Sequence, residues 1–447
     1  TKHLLIVLAC DMAVFVFFIL CVLFPSVHPS SFALIPLTAG PTQSLAISAS
    51  HTVSRAQHIK HPPITKLSAP LIPRSYGGYS FSLAIGTPPQ PATFIFDTGS
   101  SLVWLPCTSH YTCKQCSSYS FSPFIPKNSS SAKILGCRSP ECHWLNTLSN
   151  RNCPPVSSPP LSCSAYFINY GLGSTSGLLL SETISFSTTT FTNIALGCSI
   201  VATRLPGGIA GFGRSNLSLP SQLGLTGFAY CLPSHQHDDK LSASSNLILY
   251  NGSHIRPSGL RYTSLMKNPM SSSRSAQEEF YYVYLLSVVI GRKEIKIPRE
   301  YSVAHKDGDG GTIMDTGSTF TYMERAVFER VAVEFRRQMK NFTVNADVEK
   351  RTGLRTCLRV PTWPLEVPRM SLRFKGGAVM ELPVRNYFPL VGEDDTACLI
   401  MVTGAAGSRG GPSIIIGNYQ VMDFQVEYDL VNQRIGFKRH DCLLFGS

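Results

Sequence analysis

The sequence predicts a mostly-β chain folded as two lobes related by a pseudo-twofold axis, with a cleft between them. Two observations carry that expectation. From Tyr79 onward the chain is cut into short β-branched and aromatic runs (YSFSLAIG, ATFIFDTG, AKILG, SAYFINYG, GLLLSETISF, FTNIALG). Each is stopped by Gly, Pro, Asn or Ser, the pattern of strands joined by tight turns. One such segment is also echoed. Residues 94–101 (FIFDTGSS) return as residues 312–319 (TIMDTGST), and each copy has an apolar-apolar-Gly triplet downstream, Ile209-Ala210-Gly211 and Ile415-Ile416-Gly417. A strand, an Asp-Thr-Gly-Ser turn and a later partner, all present twice in matching contexts, imply duplicated lobes.

The elements follow in order. Residues 12–24 (MAVFVFFILCVLF) are unbroken apolar, with Lys2 before them and the small Ser26, Ser30 and Ser31 after. The run is shorter than the ~20 residues a bilayer span needs, so residues 1–31 are expected to be a signal peptide, with an uncleaved anchor as the competing reading. Residues 32–75 are rich in Ser, Pro and His and read as a propeptide or linker. Residues 76–266 are expected to form the N-terminal β lobe, residues 267–280 a polar interlobe linker, and residues 281–447 the C-terminal β lobe. One helix is expected over 324–340, with Phe328, Val331, Ala332, Phe335 and Met339 on its buried face and Arg336, Arg337 and Lys340 toward solvent. The acidic run His305–Gly310 lacks the later Glu of a calcium loop and reads as a turn.

Composition removes other classes. Hydrophobic residues make up 43% and charged residues 15%, which excludes a disordered chain and a coiled coil. The net charge of +12 is scattered, and no basic tract interleaved with aromatics suggests nucleic-acid binding. Of 14 cysteines, Cys10 and Cys21 fall in the expected signal; the even remainder reads as disulfides in an oxidising compartment. Cys113 and Cys116 with His110 or His143 lack the second tight pair of a zinc site, so no metal and no cofactor is expected. Sequons at Asn128, Asn216, Asn251 and Asn341 are candidate glycosylation sites.

The chemistry lies in the echo. Asp97 and Asp315 could be plain turn residues, but each ends an apolar strand, where a buried carboxylate must be hydrogen-bonded or protonated. The residues that follow supply partners: Gly99 and Gly317 allow close backbone approach, Ser100 and Ser318 offer hydroxyls, and Thr98 and Thr316 can brace the opposite loop. At a pseudo-twofold axis the two carboxyls would meet and share one proton, one acting as acid and the other as base toward a water.

These segments, with FDTGSSLVWLPC, INYGLGSTSG, GGIAGFGRSNLSLPSQL, FAYCLPS, TIMDTGSTFTYM and SIIIGNYQVMDFQVEYDLVNQRIGF, resemble the pepsin-type (A1) aspartic endopeptidases, and within them the plant nepenthesin-like branch. The resemblance runs from about residue 79 to residue 442. It implies the bilobal pepsin-like acid protease fold and Asp97 and Asp315 as the holders of the nucleophilic water. It also implies a flap with Tyr170 and Gly171, Trp104 as partner of Tyr170, and Ile95 and Ile313 lining the central subsites. The branch's cysteine pattern implies the pairs Cys107–Cys113, Cys116–Cys198, Cys137–Cys163, Cys142–Cys153, Cys231–Cys442 and Cys357–Cys398. Leu172 departs from the Asp that many relatives carry in the flap. The expected protein is therefore a secreted aspartic endopeptidase of the apoplast or vacuole, monomeric, with an acid optimum. It would act on protein or peptide substrates, bind no nucleic acid and keep no stable membrane association after signal cleavage. The alternative is a catalytically silent pepsin-like binding or inhibitor protein. A further expectation is that Lys60, Lys66 or Arg74 of the propeptide pairs with the dyad at neutral pH.

Overall fold

The computed structural model describes residues 66–445 apart from 117–121, 146–160, 188, 206, 253–257, 270–277, 361–365, 393–394 and 405–409. The expected signal segment and residues 32–65 lie outside the described residues. Leu67–Arg74 correct the expected linker boundary. They form a strand between Ser245–Tyr250 and Gly78–Ile85, antiparallel to both. Pro70 and Pro73 mask it in the sequence, because prolines demote a strand reading, yet Ala69 and Leu71 are buried. Arg74 at its end donates to Ser80 Oγ (2.6 Å) and pairs with Asp239 (3.4 Å), so its partner is Asp239 and not the dyad.

The echo has a direct structural meaning. Strand Gln90–Asp97 has Gly208–Gly211 parallel beside it, with Gly211 opposite Asp97, and Trp104–Pro106 antiparallel on the far side of that partner. In the second lobe Thr312–Met314 has Ile414–Ile416 parallel beside it and Thr321–Met323 antiparallel beyond. The downstream triplets are thus the strands that flank each Asp-Thr-Gly-Ser turn. A Cβ at Gly211 or Gly417 would collide with the backbone of Ser101 or Phe320, so the crossing chains demand glycine there.

The lobes share a sheet running, in order, Leu67–Arg74, Ser245–Tyr250, Gly227–Cys231, Phe424–Asp429, Arg434–Arg439 and Arg261–Ser264. The C-terminal strands therefore close onto the first half of the chain. Aromatic rings fill the space over this sheet: Phe228 stacks on Tyr428 at 4.5 Å, and Phe96 meets Phe212 and Tyr230 edge-on at 4.8 and 5.1 Å. Phe96 precedes Asp97, so the strand delivering that carboxylate is anchored in this buried aromatic cluster.

The expected helix is Arg325–Gln338, with Phe328, Val331, Ala332, Phe335 and Met339 buried, joined by Val327. A second helix, Ala346–Thr352, went unanticipated; Asn345 caps it and Gly353 ends it at φ +72°. Residues 305–310 form the expected turn, with Asp309 N–H donating to Asp307 Oδ1.

Two expected disulfides are present, Cys231–Cys442 and Cys357–Cys398. The pairs Cys107–Cys113, Cys116–Cys198, Cys137–Cys163 and Cys142–Cys153 are corrected: the bonds are Cys107–Cys198, Cys113–Cys116 and Cys142–Cys163, and Cys153 lies outside the described residues. The reason is strand register. Trp104–Pro106 runs parallel to Thr189–Thr203 with Leu105 opposite Cys198, which leaves the Cα atoms of Cys107 and Cys198 5.0 Å apart, within bridging range. The turn at Gln115 brings Cys113 and Cys116 to 5.8 Å. Of the sequon asparagines, Asn128, Asn216 and Asn341 are exposed and Asn251 is half-buried.

Candidate active site

Asp97 and Asp315 leave their buried strands at equivalent points, and each is wrapped by its own next three residues. Gly99 N–H donates to Asp97 Oδ1 and Gly317 N–H to Asp315 Oδ1, both at 2.8 Å. Ser100 Oγ donates to Asp97 Oδ2, and Ser318 Oγ to Asp315 Oδ2 at 2.6 Å. A Cβ at Gly99 would lie 2.6 Å from Asp315 Oδ1, and one at Gly317 would fall on Asp97 Oδ1. Each turn therefore faces the other lobe's carboxyl, and any larger residue would push the pair apart.

The two turns hold one another. Thr98 N–H donates to Thr316 Oγ1 and Thr316 N–H to Thr98 Oγ1, both at 3.0 Å. Thr316 Oγ1 reaches the Phe96 carbonyl at 2.9 Å and Thr98 Oγ1 the Met314 carbonyl at 3.3 Å. All four bonds are buried, so losing one leaves a polar group without water to replace it. Burial, and then the charge of Asp315 within hydrogen-bond reach, raises the Asp97 carboxyl well above the usual carboxylate range, against the lowering effect of Ser100 and Gly99. Two carboxyls this close share a proton rather than both ionise.

Within electrostatic reach of Asp97, strands Tyr166–Asn169 and Ser174–Phe186 form a hairpin whose turn is closed by Tyr170 N–H donating to the Gly173 carbonyl at 2.7 Å. Gly171 and Leu172 stand exposed at its tip, Leu172 at 76%. Trp104 Nε1–H donates to Tyr170 Oη at 2.9 Å. Burial, then the charge of Asp97, holds the Tyr170 phenol well above its ordinary value, so it stays neutral and keeps its proton for donation. Ile95 is half-buried and packs with this flap cluster. Ile313 is corrected: at 2% exposure, paired with Tyr282 in the next strand, it offers a substrate almost no surface.

Glu279 and Asn418 were not among the expected residues. Glu279 accepts from the hydroxyl and backbone N–H of Ser101, next to the Asp97 turn; burial pushes its carboxyl up to about 7 despite those bonds. It hid in a polar stretch that reads as linker. Asn418 follows Gly417 and is fully buried behind the Asp315 turn; its position directly after the echoed Gly was the available signal.

Two family profiles match, described as Xylanase inhibitor N-terminal over residues 79–249 and Xylanase inhibitor C-terminal over residues 280–439. A probable aspartyl protease from Arabidopsis thaliana is 32% identical over 427 residues, covering 83% of this chain and 84% of that protein. Aspartic proteinase nepenthesin-2 from Nepenthes gracilis is 34% identical, covering 82% of this chain and 78% of the other. The chain belongs to the pepsin-like plant aspartyl protease family. Among solved structures, edgp aligns with a TM-score of 0.67 at 21% identity, covering 86% of this chain and 99% of that one. Basic 7S globulin from soybean aligns at 0.64 and 20%, covering 85% and 98%. At those identities the structures show the shared fold, the bilobal, mostly-β pepsin-like architecture. This member of the family carries both Asp-Thr-Gly-Ser turns intact.

Proposed function

We propose that the chain is an aspartic endopeptidase, exported through an oxidising compartment to the apoplast or vacuole, acting as a monomer on protein or peptide substrates in acid. The observation that carries the reading is the reciprocal frame of Thr98 and Thr316, with the glycines that let Asp97 and Asp315 share one space.

The chemistry follows from that frame. With one proton on the pair, the ionised carboxyl takes a proton from a water as its oxygen bonds to the peptide carbonyl carbon. The protonated carboxyl donates to the carbonyl oxygen, giving a neutral tetrahedral diol. Proton transfer to the amide nitrogen then lets the C–N bond break, and the pair returns to its singly protonated state. Acid favours this because the working state needs that proton. The neutral Tyr170 phenol, fixed by Trp104, covers the site and helps exclude bulk water.

A second reading, a silent binding protein, is favoured by the inhibitor description of the matching profiles. Digestion of denatured haemoglobin in acid, with and without pepstatin, separates the two. Pepstatin-sensitive cleavage by the processed chain supports the endopeptidase. Its absence, from protein shown to be folded, supports the binding reading.

A further inference from the structure

Behind the Asp315 turn lies a chain of polar groups that the proposed chemistry does not use. Asn418 Nδ2 donates to the carbonyls of Gly77 (2.9 Å) and Thr316 (3.1 Å), and its backbone N–H donates to the carbonyl of Ser318 (2.7 Å). Two carbonyls facing the amide nitrogen fix which way the amide points. Its oxygen therefore faces His235 Nε2, at 3.2 Å. An amide oxygen only accepts, so Nε2 must carry a proton. The other ring nitrogen, Nδ1, stands 2.7 Å from Asp238 Oδ1, and an ionised carboxylate also only accepts. Only the imidazolium makes both bonds at once; the neutral ring keeps its one proton on Nδ1, for the shorter bond to the carboxylate, and gives up the bond to Asn418.

The ring is held by packing as well. It stacks on Tyr419 at 5.2 Å and lies 5.0 Å from Tyr79, whose hydroxyl donates to the Pro233 carbonyl. Its side chain is 6% exposed. The titratable groups around it are Asp238 on its own turn, Tyr79 from the adjoining strand and Tyr419 from the turn after Asn418. Asp423, within electrostatic reach of Tyr79, is engaged by Arg385 at 2.6 Å and lies near Arg439; Asp239, next to Asp238, is paired with Arg74. Burial, then the Asp238 charge, keeps Tyr79 neutral, so Asp238 is the anion that His235 meets directly.

We infer that His235 in its protonated form is a positioning residue for the C-terminal aspartate: through Asn418 it clasps Thr316 and Ser318, and so aims Asp315, in acid. The clasp stands on hydrogen-bond geometry alone, while its effect on turnover rests on the proteolytic reading proposed above. Ser318 is the hydroxyl donor to Asp315 and Thr316 its brace to the other lobe, so loosening Asn418 loosens both.

The test is hydrogen–deuterium exchange of segment 312–320 in the processed chain, corrected for intrinsic rates, with kcat and KM on a peptide substrate, at steps from about pH 4 to 7, a span that reaches into the range where histidines change charge. His235→Phe keeps the ring stacking and removes both N–H donors. It should exchange about two- to tenfold faster than wild type in acid and lower kcat by a similar factor with KM within about twofold. Both differences should shrink as pH rises and the wild type loses its own clasp. In Asp238→Asn the introduced amide can donate to Nδ1 of a neutral His235, so the segment should stay protected and its exchange should become insensitive to pH. A His235→Phe deficit that is constant across pH, or an Asp238→Asn protein that keeps the wild-type pH dependence, overturns the inference. Absence of cleavage in wild type would sink the proteolytic reading alone, and the exchange data would still decide the clasp.

Discussion

Thr98 and Thr316 are the residues on which the two halves of the site depend most. Each hydroxyl both accepts from the opposite turn and donates to a buried carbonyl, so Thr98→Ala or Thr316→Ala strands two polar groups in a dry interior. Each should cost about 2–4 kcal/mol of stability, read by urea unfolding, with a larger proportional loss of kcat than of binding. Trp104→Phe removes the donor to Tyr170 and puts a smaller ring in a fully buried site, so it should cost about 1–3 kcal/mol in urea unfolding, with kcat/KM of the folded protein falling several-fold. At this scale the dyad with its serines, threonines and glycines was legible because motif and chemistry pointed the same way, whereas Tyr170 and Trp104 came from the family resemblance. Ile313, Glu279 and Asn418 were not legible. Burial of Ile313 depends on which strand covers it, and the roles of the other two depend on contacts with residues far away in the chain.

The elements repeat the lesson with different causes. The helix Arg325–Gln338 was legible because its apolar face has a clean period. The strand Leu67–Arg74 was hidden by its prolines, and the helix Ala346–Thr352 by its polar composition, although Asn345 and Gly353 are sound end signals. Disulfide pairing was legible for two of the six expected pairs. Counting cysteines gives an oxidised framework, but only the parallel register of Trp104–Pro106 against Thr189–Thr203 selects Cys198 for Cys107. That bond closes a separation of 91 residues, and Cys113–Cys116 one of only 3. On chain-entropy grounds its removal (Cys107→Ala with Cys198→Ala) should cost about 4–5 kcal/mol, against about 1.5 kcal/mol for Cys113→Ala with Cys116→Ala. Thermal unfolding of the two double variants should show the first well below the second; equal shifts would contradict the pairing.

For the whole molecule, the signs of the buried carboxyls set how stability follows pH. Asp97 is raised, and Glu279 is raised from 4.5 to about 7. A carboxyl whose folded value exceeds its unfolded one binds its proton more tightly in the folded state. Its contribution is therefore greatest in acid and is lost as pH climbs, for Glu279 between about 4.5 and 7. Urea unfolding should show a midpoint that falls over that interval, and Glu279→Gln should flatten part of the fall. A midpoint rising with pH in wild type would contradict it. The bilobal plan itself was legible from the echo, since duplicated turns need duplicated strands around them. The shared sheet was not, because no local pattern reveals that residues 424–439 pair back onto residues 227–231 and 261–264.

The central claim is that Asp97 and Asp315 work as one proton-sharing pair on a single water. The most direct measurement is kcat/KM for one peptide across the acid range, on the processed chain and on Asp97→Asn and Asp315→Asn, each shown to be folded. The account predicts a bell-shaped profile whose two limbs belong to the pair, and a loss of at least about a thousandfold in either variant at the optimum. A variant retaining activity within about tenfold of wild type would mean that one carboxyl suffices, and the paired mechanism would fall.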